Sequence, residues 1–123
     1  MLLSFYRLLT TKIETLVWTK GEQSGEVPSP CRAHTAAVVG TDMYIFGGGN
    51  GVMPLNQTYR LDTTSLVWTE VKLTDPMEPR GYLTSTAVGN YIVFYGGTTD
   101  TEVYTDARVL NTSKLPPFFC EFL

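Results

Sequence analysis

Few side chains in this chain could do chemistry. His34 is the sole histidine among 123 residues, and the two cysteines, Cys31 and Cys120, stand far apart with no CxxC pair. Cys31 and His34 could form a nucleophile and base, which requires a depressed thiol pKa and a third group to orient the imidazole. Only Arg32 and Ala33 lie between them and no carboxylate is close in sequence, so His34 reads as a loop histidine bonded to backbone. The same scarcity argues against a structural zinc site or a disulfide framework and favours a reducing compartment. Gly47-Gly-Gly-Asn-Gly51 follows an apolar run and could cradle a phosphate. Such a loop needs a helix N-terminus directly after the glycines, whereas Val52-Met-Pro54 follows here, with no Lys-Ser/Thr pair. No catalytic, cofactor or metal site is expected. Asn56-Gln-Thr58 and Asn111-Thr-Ser113 are formal glycosylation sequons that would go unused without secretion.

Composition narrows the classes further. Hydrophobic residues make up 43% and charged residues 17%, which sets aside both a disordered tail and a coiled coil. The 11 Gly, 7 Pro and 12% aromatic residues favour short strands joined by turns. Net charge is -3 without any Lys/Arg cluster, so a nucleic-acid partner is not expected. Arg7 interrupts the apolar N-terminus, and neither a basic leader region nor a small-residue cleavage site accompanies it. Apolar runs are too short to cross a bilayer as helices. The expectation is a cytoplasmic chain with no membrane partner.

The chain repeats itself at a spacing of 49 residues. In one frame Pro30 falls on Pro79, Thr35 on Thr84, Val39-Gly40 on Val88-Gly89 and Gly47-Gly48 on Gly96-Gly97. Leu61, Thr63 and Leu66 fall on Leu110, Thr112 and Leu115, and Trp18 precedes Trp68 by 50. Each unit reads as four short strands. Thr35–Val39 and Thr84–Val88 are small and β-branched and run into tight turns, where glycine accepts the positive φ a hairpin needs. Met43–Phe46 and Tyr91–Tyr95 are apolar on both faces and so must be covered on both. Thr58–Leu61 and Ala107–Leu110 form third strands, and Leu66–Val71 a fourth that carries Trp68. No window sustains helical periodicity.

Four-stranded antiparallel sheets that cover one another face to face are the blades of a β-propeller. Phe46-Gly-Gly48, Tyr59 and Trp68 together resemble the kelch repeat, and Pro30-Cys-Arg-Ala-His-Thr-Ala36 and Pro79-Arg-Gly-Tyr-Leu-Thr-Ser85 are similar to the Pro-Arg-x-x-His-Thr stretch that opens each blade in that family. The chain looks most like the kelch domains of cytoplasmic scaffold proteins, including fungal cell-polarity ones. The resemblance implies structural roles for Trp18, His34, Gly47, Gly48, Tyr59, Trp68, Gly96 and Gly97. It also departs from the family pattern: Cys31 stands where arginine is preferred, Leu83 replaces the histidine, Arg108 falls where Tyr59 sits, and Pro117 takes the next tryptophan position. Some relatives with this propeller are copper oxidases, which need more histidines than one.

The expected organisation is therefore all-β and antiparallel, a partial and open kelch propeller. Residues 1–12 are expected to be poorly ordered and residues 13–115 to form the propeller. Within it, 13–20 would be the last strand of one blade, 33–71 a full blade and 82–115 an incomplete one, with an irregular tail at 116–123. In a meander, successive loops alternate between the two ends of a sheet. The links after the first and third strands are tight, whereas 20–33, 49–57, 72–82 and 98–106 are long and share one end. Recognition residues concentrate on such loops. A non-catalytic protein-binding face is expected from Arg32, Asn50, Val52, Met53, Leu55, Arg80, Thr98, Asp100, Glu102 and Tyr104, with basic segments preferred by the Asp100–Glu102 acids. Other proteins, further kelch blades or self-association supply the expected partners. The alternative is a piece of a galactose-oxidase-like propeller whose catalytic residues lie outside this chain.

Overall fold

A computed structural model describes residues 2–4, 7–113 and 119–122, and every regular element in them is a strand. A first sheet holds β1 (Leu2–Ser4), β2 (Arg7–Thr11) and β3 (Trp18–Lys20). The second, of five strands, holds β4 (Ser24–Gly25), β5 (Thr35–Val39), β6 (Asp42–Phe46), β7 (Thr58–Asp62) and β8 (Val67–Glu70) in the order β4-β8-β7-β6-β5. The third holds β9 (Thr84–Val88), β10 (Tyr91–Tyr95), β11 (Ala107–Asn111) and β12 (Phe119–Phe122) in the order β12-β11-β10-β9. The second and third sheets are blades related by the 49-residue repeat, and the expected all-β, open arrangement is what the chain adopts.

Turn chemistry sets the register. Gly40 and Gly89 take positive φ at the first position of two-residue turns, which aligns Val39 with Asp42 and Val88 with Tyr91. After β7 the Asp62 carboxylate accepts the Thr64 and Ser65 N–H groups, and these bonds hold its carboxyl below the ordinary range. Asn111 repeats the device by accepting from Ser113 N–H.

Strand alternation then assigns two faces to the middle blade. Met43 and Ile45 join Leu61 and Trp68 on one side. Tyr44 and Phe46 point the other way, into a core shared with Met77, Leu83, Ile92, Phe94 and Leu110 of the linker and third blade. Phe46 and Phe94 meet at 5.4 Å between ring centroids. Each such side chain contributes roughly 1.5–3 kcal/mol on burial, so this shared core is what joins the two blades. Where β5 and β9 lie together, the Thr35 and Ser85 hydroxyls are hydrogen-bonded at 2.7 Å.

Several expectations are corrected. Residues 1–12, expected to be poorly ordered, contain β1 and β2, so β3 at Trp18–Lys20 belongs to a three-stranded sheet. Part of the expected irregular tail, Phe119–Phe122, pairs antiparallel with β11 and completes the third blade. Residues 114–118, including Leu115 and Pro117, lie outside the described residues, as do residues 1, 5, 6 and 123. The link at 20–33, expected as a plain loop, carries β4, which runs parallel to β8. Ser24 N–H donates to the Leu66 carbonyl and Glu26 N–H to that of Trp68, while the Trp68 indole donates to Gln23 Oε1 at 2.9 Å. This fifth strand closes the outer edge of the blade and leaves Trp68 only 1% exposed. Trp18, given a structural role by the resemblance, is instead half exposed.

Candidate functional site

At the long-loop end, each blade is tied to the linker that precedes it by a pair of backbone bonds. Arg32 and Gly49 exchange N–H···O=C bonds, and Gly81 and Thr98 do the same in the next blade. A further set joins the blades: Gly48 N–H donates to the Arg80 carbonyl at 2.9 Å, and Arg80 N–H donates to the Leu55 carbonyl at 3.1 Å. The Gly47-Gly48 doublet is required here because the backbones come so close. A Cβ on Gly47 would collide with the Arg80 carbonyl, and one on Gly48 would stand 2.5 Å from the Arg32 carbonyl. No helix follows the doublet, and the exposed Asn50 closes its own loop, its side-chain oxygen accepting from the Val52 and Met53 N–H groups.

These ties leave a groove of about 160 Å³ between loop 49–54 and loop 98–100. Glycines 48, 49 and 81 line it together with Arg32, Met53, Tyr82 and Asp100. Its volume is below the range of sites that enclose a whole cofactor, and it suits one or two side chains of a larger partner. Ala33 and Tyr82, equivalent in the repeat, both take positive φ, which is costly for residues with a Cβ. Tyr82 is 75% exposed and Val52 90%, so the groove offers apolar and aromatic surface to solvent.

Of the ten expected binding residues, five line this groove: Arg32, Val52, Met53, Thr98 and Asp100. Two others need correction. Arg80 is buried, its guanidinium donating to the Gly96 carbonyl, Asp106 and Glu78 while lying 3.6 Å from the Tyr104 ring centroid. Tyr104 is therefore a partner of Arg80 rather than a free contact, and its hydroxyl donates to Glu102, which raises the phenol pKa. Burial alone would raise the Asp106 pKa, but hydrogen bonds from Arg80 and Arg108 outweigh it and hold the carboxyl below its ordinary value. Leu55 is half-buried and contributes its carbonyl to the blade junction.

His34 contacts Cys31 instead of backbone, with Nδ1 3.5 Å from Sγ. Burial raises the thiol pKa and lowers that of the imidazole, so both stay neutral and the pair is not an activated nucleophile. Among the described residues no three His, Cys, Asp or Glu side chains are grouped to hold a metal ion. No helix among them is long and apolar enough to cross a membrane. Both sequon asparagines are engaged: the Asn56 amide donates to the Met77 carbonyl, and Asn111 is buried.

Sequence reasoning missed Tyr82, because nothing in its residue type signals a left-handed backbone, and it missed the Arg80 clamp. A signal for the clamp did exist. In the 49-residue frame Arg80, Tyr104 and Asp106 replace Cys31, Leu55 and Gln57 together.

The family profile described as "KLHDC2/KLHL20/DRC7 Kelch-repeats domain" matches residues 4–116. Kelch domain-containing protein 3 of Rattus norvegicus is 34% identical over 91 residues, which are 72% of this chain and 24% of that protein. The Rab9 effector protein with kelch motifs of Homo sapiens is 34% identical over 98 residues, 76% of this chain and 26% of the relative. The Rho GTPase-activating protein gacHH of Dictyostelium discoideum is 31% identical over 101 residues, 78% of this chain and 7% of the relative. The chain thus spans about a quarter or less of the length of these relatives. With the glycine doublet and the antiparallel meander recurring at one period, and the profile covering nearly the whole length, the chain belongs to the kelch-repeat family.

Proposed function

We propose that this chain is a non-catalytic protein-interaction module of a longer cytoplasmic scaffold, and that it engages partners through the groove between loops 49–54 and 98–100. The observation that carries this reading is the gathering of Arg32, Val52, Met53, Thr98 and Asp100, from three separate loops, around a glycine-floored groove. Rigid blades fix the loops, so a partner meets a preformed surface and little ordering cost is incurred on binding. Tyr82 and Met53 supply the apolar contact, the kind of residue on which interface energy concentrates. Asp100 and Glu102 lie exposed at one end and favour a partner segment carrying Lys or Arg. Relatives named for Rab9 and Rho GTPase pathways support a protein partner of some kind.

Selection of peptides from a random displayed library on the immobilised chain tests the reading. The expected consensus pairs a basic residue with an apolar one, and Asp100→Lys lowers affinity by about tenfold while leaving the unfolding midpoint in place. An acidic consensus, or affinity indifferent to Asp100→Lys and Met53→Glu, would contradict it.

A further inference from the structure

Loops 50–57 and 99–106 hold equivalent places in the two blades and share one backbone scaffold. Asn50 N–H donates to the Met53 carbonyl as Thr99 N–H does to that of Glu102. Leu55 N–H donates to the Gly48 carbonyl as Tyr104 N–H does to that of Gly97. Their side chains differ at alternating positions: Gly51, Met53, Leu55 and Gln57 of the first loop are Asp100, Glu102, Tyr104 and Asp106 in the second. The same scaffold forms with either set, so the fold does not require the tyrosine or the acids around it.

Those side chains connect a surface hydroxyl to the wall of the groove. The Tyr104 ring lies on Arg80, while its hydroxyl is exposed and donates to Glu102 Oε2 at 2.8 Å. The backbone of Glu102 in turn holds the wall. Its carbonyl accepts from Thr99 N–H and from the Thr98 hydroxyl, and its N–H donates to Thr99 Oγ. Thr98, Thr99 and Asp100 line the groove. The segment is open to an enzyme, since Thr101, Glu102, Val103 and Thr105 are all exposed. Asp100, Glu102 and Asp106 flank the tyrosine in sequence, which suits a kinase with a basic substrate cleft.

We propose that Tyr104 is a phosphorylation site, and that its phosphate releases loop 98–102 and with it one wall of the groove. The regulation rests on the binding role proposed for that groove. In the transfer the phenol oxygen bonds to the γ-phosphorus of ATP, the bond to the ADP oxygen breaks, and the phenol proton passes to the kinase's base. A charge of about −1.5 to −2 then stands where a hydrogen-bond donor stood. Glu102 loses its donor and faces a like charge within hydrogen-bond reach. Neighbouring cations do not absorb it, because Arg80 and Arg108 already serve Glu78 and Asp106. Repulsion drives Glu102 away from the tyrosine, and its bonds to Thr98 and Thr99 go with it. At physiological ionic strength, screening over about 8 Å limits the attraction the phosphate adds for a basic partner. Loss of the wall therefore decides the sign, and binding weakens.

The test uses the intact chain. It is first incubated with ATP, magnesium and a protein tyrosine kinase that selects acidic substrates, and the product is mapped by peptide mass. Phosphate is expected on Tyr104 and is lost from that peptide in Tyr104→Phe. Label confined to Tyr82, Tyr91 or Tyr95 overturns the site. A chain carrying phosphotyrosine genetically encoded at position 104 is then compared with the unmodified chain by hydrogen exchange. The Thr99 and Glu102 amides should exchange about tenfold faster, with β5 and β6 unchanged. Glu102→Gln in the phosphorylated chain should restore slow exchange, because the like charge is gone. Equal exchange in the two chains, acceleration throughout the chain, or no rescue by Glu102→Gln overturns the release. Affinity for a library-selected basic peptide should fall on the order of tenfold on phosphorylation, and undiminished affinity overturns the link to the groove. A peptide that fails to bind the unmodified chain defeats the binding reading instead, since the exchange comparison does not use it.

Discussion

Replacing Arg80 with methionine should loosen the long-loop end of the third blade more than any other single change there. The side chain is 2% exposed and carries four attachments: Asp106, Glu78, the Gly96 carbonyl and the face of Tyr104. Methionine keeps much of the volume and removes the charge. Hydrogen bonds to charged groups are worth about 1.5–3 kcal/mol each, and a desolvated cation–π contact about 2. Those gains are partly offset by the cost of having buried the guanidinium, which methionine escapes. The abandoned carboxylates are not sealed in, since Asp106 is 36% and Glu78 55% exposed, and water and Arg108 take over part of their solvation. The net loss is therefore set at about 2–3 kcal/mol, below the 3–5 seen when a fully buried pair is broken. Urea unfolding at pH 7 measures it as a lower midpoint with unchanged slope. Exchange should accelerate at 98–106 more than at 35–46. The pH dependence has a definite sign. Asp106 is held below its unfolded pKa, so its contribution is full above about pH 4 and disappears as pH falls through the folded value. Arg80→Met should flatten that acid limb. A loss under about 0.5 kcal/mol, the size of an ordinary surface change, or an acid limb identical to the original, would refute the clamp.

Thr58 Oγ is buried without a partner among the described residues, so Thr58→Val should stabilise the chain by about 1 kcal/mol, and a fall in the unfolding midpoint would mean that the hydroxyl is satisfied. Trp68→Ala should cost about 3–5 kcal/mol through the cavity it leaves and the lost bond to Gln23, measured by the same unfolding curve. Tyr82→Gly should raise stability by about 1 kcal/mol by relieving a left-handed tyrosine while weakening groove binding; effects of the same sign would separate Tyr82 from the groove. Cys31 should alkylate more slowly at pH 7 than a free thiol, because burial raises its pKa, and a rate equal to or above that of free cysteine would restore the activated pair.

The strands were legible because both blades state the same pattern twice. Thr35–Val39, Thr84–Val88 and Tyr91–Tyr95 lie where alternation and flanking glycines place them, since a two-residue turn with glycine leaves no freedom in register. The strand at Ser24–Gly25 was not legible. It carries no apolar signal and is held by bonds from the Ser24 and Glu26 N–H groups to the Leu66 and Trp68 carbonyls, and its one requirement is Gly25, where a Cβ would collide with the Trp68 carbonyl. Phe119–Phe122 was missed because Pro117 occupies the expected tryptophan position, although the Phe-Phe-Cys-Glu-Phe run that follows suits a strand. Half of the expected binding residues reached the groove, since the alternation of long and short loops sets which end of the sheet each one joins. Arg80 and Tyr104 went elsewhere because sequence places a side chain on a loop without telling whether it faces solvent or stacks on its neighbour.

The central claim, that recognition occurs in the groove at the long-loop end, is tested most directly by titrating the isotopically labelled chain with a library-selected basic peptide and mapping backbone amide shifts. The account predicts that shifts concentrate at Arg32–Ala33, Gly48–Met53, Gly81–Tyr82 and Thr98–Glu102, with Tyr91–Tyr95 unchanged. Shifts confined to Tyr91–Tyr95 or to β1–β3, with a silent groove, would contradict it.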